Sequence, residues 1–175
     1  MDFNDKKVLV VYFSRAGKNY FEGRITNLSV GNTEQLAKLI AQKTGGELFK
    51  VERAEEYAAD YYRCTEQAKQ EQNEQARPAL KEHLDNIDKY DTIFLGSPDW
   101  WSSLPMPLFT FIEENKRFEG KNVYPFVTHE GSGMGHIQDD LKKECPKAVI
   151  HEGLAIQGSH VTGAGAVVAD WLKSI

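Results

Sequence analysis

The sequence is short of the features that announce several common functions. Its 175 residues include two cysteines, Cys64 and Cys145, far apart and in no CxxC or metal-ligand spacing, so small buried hydrophobes are their expected role rather than redox groups. It has no excess of positive charge: the net charge of −5 argues against nucleic acid or an anionic membrane as a partner. No apolar run approaches the roughly 20 residues of a membrane span, and the N-terminus Met1-Asp2-Phe3-Asn4-Asp5 has no apolar leader region, which points to a cytoplasmic protein. The glycine fingerprints of nucleotide sites are missing too. Gly17-Lys18 has no glycine at the upstream position a P-loop needs, and no Gly-x-Gly-x-x-Gly follows the first apolar run. Ser132, in Glu130-Gly131-Ser132-Gly133-Met134, lacks the flanking spacing of a nucleophile elbow, and His129, Glu130 and His136 match no metal-ligand pattern. There is no repeat, low-complexity tract or linker, so residues 1–175 read as one domain. Its composition, 41% hydrophobic and 27% charged, is ordinary for a chain with a substantial core.

What is present centres on Val8 to Ile40. Val8-Leu9-Val10-Val11-Tyr12-Phe13 has no polar alternation and is rich in β-branched and aromatic residues, which predicts a strand buried on both faces. After the polar Ser14-Arg15-Ala16-Gly17, a helix is predicted from Asn32, with Asn32 as N-cap, Gln35 as its capping-box partner and Gly45-Gly46 as its stop. A strand handing over to a helix N-terminus aims free backbone N–H groups at one point, and Ser14, Asn32 and Thr33 add side-chain donors there. Such a point suits a phosphate, although a polar turn that merely reverses the chain looks the same. Residues 17 to 30 form a detour longer than such connections usually are, readable as a surface excursion or as a lid.

Further on, Glu47 to Val51 alternates and reads as an edge strand. The polar region Glu52 to Asp91 places Tyr57, Tyr61, Cys64 and Ala68 at helical spacing, with a second short helix expected around Leu80 to Ile87 after Arg77-Pro78. Thr92 to Leu95 is a buried strand ending in Gly96-Ser97-Pro98-Asp99-Trp100-Trp101, and two adjacent tryptophans in a loop point to stacking on an aromatic ligand more than to core packing. A helix follows Pro105. Val123 to Val127 is a fourth strand despite Pro125, and it leads into Thr128-His129-Glu130-Gly131-Ser132-Gly133. A helix from His136 to Glu144, a split fifth strand (Ala148 to Ile150, then Leu154 to Ile156) and a helix from Val161 to Leu172 complete the chain. Alternating strands and helices give a parallel sheet covered on both faces, with ligands bound outside the carboxyl ends of its strands. The three notable loops follow strands one, three and four, so they converge on that rim.

These residues resemble a flavodoxin. Phe13-Ser14-x-Ala16 with Gly31-Asn32-Thr33-Glu34 resembles the family's phosphate loop, split by the detour. Gly96 to Pro105 and Thr128 to Gly133 resemble the two loops that embrace the isoalloxazine ring in a bacterial flavodoxin-like subgroup with a long first loop. The resemblance implies an α/β, flavodoxin-like three-layer sandwich with a five-stranded parallel sheet in the order 2-1-3-4-5, the type order of that fold, non-covalent FMN, and electron transfer. It implies that Ser14, Arg15, Ala16, Asn32 and Thr33 hold the phosphate. Ser97, Pro98, Asp99 and Trp100 or Trp101 on one side, with Thr128, His129, Glu130, Gly131, Ser132 and Gly133 on the other, would meet the ring. The second ring loop has no aromatic residue, which argues against a two-sided sandwich. Asp99 stands where the subgroup has an apolar residue, and a carboxylate there would disfavour negative charge on the reduced ring. An electron carrier serving a redox partner protein and an FMN-dependent NAD(P)H:quinone or nitro reductase serving a small acceptor both fit. A phosphoacceptor signalling domain shares the architecture, but Ser14-Arg15 and Gln157-Gly158 supply neither its acidic pair nor its lysine.

Overall fold

The protein is described by a computed structural model, covering Phe3 and residues 5–175. Met1, Asp2 and Asn4, on which part of the leader reading rests, lie outside the described residues. Strand β1 (Val8–Tyr12) is followed by β2 (Gly17–Phe21), β3 (Arg24–Leu28), α1 (Asn32–Thr44), β4 (Glu47–Lys50), α2 (Tyr61–Glu74), β5 (Thr92–Pro98) and α3 (Met106–Glu114). The chain ends with β6 (Asn122–His129), α4 (Ile137–Glu144), β7 (Val149–Ile150), β8 (Leu154–Gln157) and α5 (Gly165–Ser174).

The main sheet runs β4-β1-β5-β6, and its last position is filled by β7 and then β8, both parallel to β6. With the β2-β3 hairpin set aside, that is the order 2-1-3-4-5. The pleat sends alternate side chains to opposite faces. Val8, Val10 and Tyr12 join Phe94, Tyr124 and Phe126 under α1 and α5, while Leu9, Val11 and Phe13 join Ile93, Leu95, Val123 and Val127 under α3 and α4. This two-sided burial explains why these strands read as unbroken apolar runs.

Pro125 sits in the interior strand β6 without breaking it. Val123 O accepts from His151 N on the β7 side, and Pro125, two residues on, turns its nitrogen the same way. The register jumps from Val123↔Ile150 to Phe126↔Leu154, so the missing N–H falls opposite the break between β7 and β8. Gly153 fills that break because a Cβ there would meet Pro125 O at 2.6 Å.

Several expectations are corrected. The detour is a two-stranded antiparallel hairpin, β2-β3, turned through Glu22 and Gly23 with φ of 49° and 80°. Such a tight two-residue turn matches the twist of its strands. Helix α1 has Gly31, not Asn32, as N-cap, and no capping box forms: Gln35 Nε2 donates to Val30 O instead. Tyr57 precedes α2, whose cap is Asp60, its carboxylate accepting from Arg63 N at 3.0 Å. No helix forms from Leu80 to Ile87. Pro78 leads the chain back as an extended segment beside Glu52 to Ala54, with Ala54 N donating to Ala79 O and Lys81 N to Glu52 O, and only Ile87–Lys89 coils, as a 3₁₀ turn. The C-terminal helix is preceded by a 3₁₀ stretch, Gly158–Gly163, and begins at Gly165.

Candidate functional site

The carboxyl ends of β1, β5 and β6 open into one cavity of about 580 Å³. At one end lies the start of α1. The N–H groups of a first helical turn have no partner within the helix. Here Glu34 N donates to Ser14 Oγ at 3.0 Å and Gln35 N to Gly31 O, leaving Asn32 N and Thr33 N without an acceptor among the described residues. Ser14, in the turn after β1, therefore caps α1 from outside the helix and keeps its own hydroxyl proton free to donate. Thr33 Oγ1 and Thr128 Oγ1 lie 2.7 Å apart, both buried, tying the helix start to the end of β6. Gly31 is required by closeness rather than by backbone angle: a Cβ there would stand 2.2 Å from Ser14 Oγ and 2.7 Å from Arg15 O.

The other end is aromatic. Trp100 packs edge-on to Phe13 and to Tyr57, each with centroids 5.1 Å apart. Trp101 is built differently. Trp100 and Ser103 exchange backbone hydrogen bonds across Trp101 and Ser102, whose φ values are 56° and 62°. A left-handed backbone at a non-glycine residue costs about 1–2 kcal/mol. The turn is held by its surroundings: Trp101 Nε1 donates to Thr65 O at 3.0 Å, Gln72 Nε2 donates to Trp101 O, the Lys69 ammonium stands 5.1 Å from the ring, and His136 N donates to Ser102 O at 2.7 Å. Trp101 keeps 51% of its surface exposed. The aromatic pair is thus one ring braced from behind and one held out at the rim.

Most of the expected residues meet here. Ser14, Arg15, Asn32, Thr33, Pro98, Asp99, Trp100, Trp101, Thr128, His129, Glu130 and Ser132 line the cavity. Ala16, Ser97, Gly131 and Gly133 are not among its walls. Ala16 is exposed, and Ser97 is fully buried with its hydroxyl donating to Pro98 O. Gly131 and Gly133 shape the loop with positive φ. Gly131 N donates to His129 Nδ1 at 3.0 Å, so a neutral His129 carries its proton on Nε2.

Arg15 faces a different partner from the expected phosphate. Its guanidinium donates to Lys18 O, to Ala58 O at 2.9 Å and to Ala59 O at 3.0 Å, stapling the hairpin to the segment before α2. The hairpin tip is latched as well, Glu22 N donating to Glu130 Oε2 at 3.2 Å. Two carboxylate oxygens in the cavity wall, Asp99 Oδ1 and Glu130 Oε1, are buried with no hydrogen-bond partner.

Reasoning from sequence did not find the wall supplied by Asn19, Tyr20, Tyr61, Tyr62, Cys64, Thr65 and Ala68. The helical spacing of Tyr61, Cys64 and Ala68 was visible, but nothing local marks that face as turned toward the strand ends. Burial pushes the Tyr61 phenol and the Cys64 thiol up in pKa, so both stay protonated at neutral pH and Cys64 is no thiolate nucleophile. No helix among the described residues is long and apolar enough to cross a membrane, and no three His, Cys, Asp or Glu side chains among them form a group that could hold a metal ion.

The family model described as flavodoxin matches residues 7–175. The chain belongs to the flavodoxin family. Flavodoxin-family likeness extends to solved structures. A candidate flavoprotein from Bacteroides uniformis is 29% identical, covering 96% of this chain and 98% of its own, with a TM-score of 0.76. Another from Bacteroides eggerthii is 30% identical, covering 94% and 99%, with a TM-score of 0.72. A flavoprotein from Lactobacillus acidophilus, solved in complex with FMN, shares the fold at 21% identity and a TM-score of 0.66, covering 90% and 97%. No curated protein matches the chain.

Proposed function

We propose that this protein binds FMN without a covalent bond and works as a redox protein. The observation that supports this most is the pairing, in one cavity, of a helix start whose N–H groups lack acceptors with an aromatic wall at the far end. The fold-family cofactor fits each end. Asn32 N, Thr33 N and the Ser14 hydroxyl are donors suited to a dianionic phosphate, and the helix dipole favours the charge. Trp100 offers a braced indole for a flat ring.

When bound, the flavin supplies one- and two-electron chemistry. The chain's own residues orient and tune it. Asp99, which lines the cavity, would set a carboxylate near a bound ring and would disfavour added negative charge there. A neutral His129 presents Nε2–H, because Nδ1 accepts from Gly131 N, and Trp100 and Pro98 form part of the cavity wall. No side chain here is required as an acid or base.

A second reading, in which the electrons pass to a small planar acceptor such as a quinone or nitroaromatic, is favoured by one feature. Tyr20, Tyr61 and Tyr62 fence the cavity with aromatic surface, and Tyr62 remains 66% exposed. A carrier docking to a redox partner protein needs its flavin edge open rather than fenced. Purification followed by a visible spectrum and FMN titration tests the first reading: flavin absorbance and 1:1 uptake are expected, and a colourless protein that ignores added FMN overturns it. Rapid NAD(P)H oxidation with a quinone supports the second reading, and reduction only through a partner reductase removes it.

A further inference from the structure

Behind the cavity lies a cluster of polar groups that the proposed chemistry does not use. Glu71 is 8% exposed although it projects from the otherwise strongly polar helix α2. Its Oε2 accepts from the Tyr57 hydroxyl at 2.5 Å, and its Oε1 stands 3.0 Å from Arg53 Nε. The Arg53 guanidinium lies 5.1 Å from the Tyr57 ring centroid. None of the three lines the cavity. A buried carboxylate on a helix whose other buried positions are Cys64 and Ala68 is an expensive choice for packing alone, since an apolar side chain would fill the space without desolvating a charge.

What the cluster holds is the Tyr57 ring. That ring meets Trp100 edge-on at 74° and Phe13 at 85°, and Trp100 meets Phe13 at 76°. The three rings form a closed triangle, and only Trp100 and its turn reach the cavity. Tyr57 lies in the irregular segment between Val51 and α2, where no helix or strand fixes it. Its orientation depends on the hydroxyl bond to Glu71 and on Ala58 N donating to Gln67 Oε1 at 2.9 Å, both anchored on α2.

We propose that Tyr57 and Glu71 are positioning residues for Trp100: the Tyr57–Glu71 bond, backed by Arg53, fixes the Tyr57 ring, which holds the Trp100 indole at the angle needed to receive a flat ligand ring. The proposal rests on the flavin reading for the ligand but not for the brace itself. Tyr57→Phe removes only the hydroxyl and leaves the ring, so it separates orientation from bulk.

The test combines a binding cycle with a probe that needs no flavin. FMN is titrated into wild type, Tyr57→Phe, Trp100→Ala and the double variant. Tyr57→Phe is expected to weaken binding about five- to tenfold, and to add less than about twofold in the Trp100→Ala background. In parallel, protein labelled with 5-fluorotryptophan is compared by ¹⁹F NMR without ligand. The Trp100 resonance is expected to shift or broaden in Tyr57→Phe and in Glu71→Gln, while those of Trp101 and Trp171 stay in place. An unchanged Trp100 resonance, or the same fold-loss with and without the indole, overturns the proposal. A protein that binds no FMN overturns the flavin reading, and the NMR comparison then still decides whether Tyr57 and Glu71 hold Trp100.

Discussion

The two ends of the cavity are made by different means. The α1 end is mostly backbone: the chain leaves β1 at Ser14, makes the hairpin and returns at Gly31 to start α1, and Ser14, Gly31, Asn32 and Thr33 supply donors or leave room for them. The aromatic end is assembled from side chains on distant segments. Trp100 leans on Phe13 and Tyr57, Trp101 on Thr65 and Lys69, and Arg15 ties the hairpin to Ala58 and Ala59, 43 and 44 residues away. An anion site can be built locally because a helix start concentrates N–H groups without further help. A ring platform needs surfaces brought together from across the chain, so it depends on more of the fold and leaves more positions for tuning.

The comparison breaks most sharply at Gly31. Valine there would drive its Cβ into Ser14 Oγ and the Arg15 carbonyl. FMN affinity should fall more than about hundredfold, with stability lower by about 1–3 kcal/mol, read by flavin titration and urea denaturation. Wild-type affinity in this variant would mean that the α1 end does not hold the phosphate.

Next in size is the contrast between the tryptophans. Trp100→Ala should cost about 3 kcal/mol, because a ring packed on two others is lost. Trp101→Gly should change stability by less than about 1 kcal/mol, since relief at φ 56° offsets the lost rim contacts. Equal losses would erase the distinction between a braced and a rim tryptophan.

Arg15→Gln sharpens the comparison by assigning the arginine to one end. Because the guanidinium is spent on carbonyls of the aromatic end, the variant should weaken FMN and riboflavin by the same factor, about tenfold. A loss for FMN alone would move Arg15 to the phosphate.

The outermost prediction concerns alkaline pH and the scaffold beneath both ends. Burial, with Glu34 and Glu52 nearby, pushes the Tyr12 phenol up to about 12, and burial with the bond to Glu47 does the same for Tyr90. Burial and the neighbouring Glu144 hold the Cys145 thiol at about 12. Each group keeps its proton longer folded than unfolded, so these neutral groups cost nothing below about pH 9. From the ordinary thiol and phenol range up to about pH 12 the unfolded chain releases protons first and stability falls. Urea midpoints measured from pH 8 to 11 should be level at first and then decline. A rise over that window would contradict the assignments.

The difference between the two ends also explains what could be read beforehand. Val8 to Phe13, Thr92 to Leu95 and Val123 to Val127 are unbroken apolar runs because both faces of the sheet are covered, so the strands and their loops were legible. The α1 end was legible for the same reason, apart from its cap, which Ser14 supplies from outside the helix. The hairpin was not, since its side chains are half-buried or exposed and no core imposes a strong pattern on it. Nor was the role of Arg15, which is set by two carbonyls remote in sequence. Tyr61 and Tyr62 sit in a polar stretch, where the direction they face depends on how α2 is docked.

The central claim is that one cavity grips a phosphate at the α1 start and a flat ring at the aromatic end. Parallel titrations of the wild-type apoprotein with FMN and riboflavin test it most directly. FMN should bind 1:1 with Kd at or below about 1 μM, and riboflavin at least about tenfold more weakly, a gap of about 1.4 kcal/mol. Equal affinity for the two, or no binding of either, would contradict it.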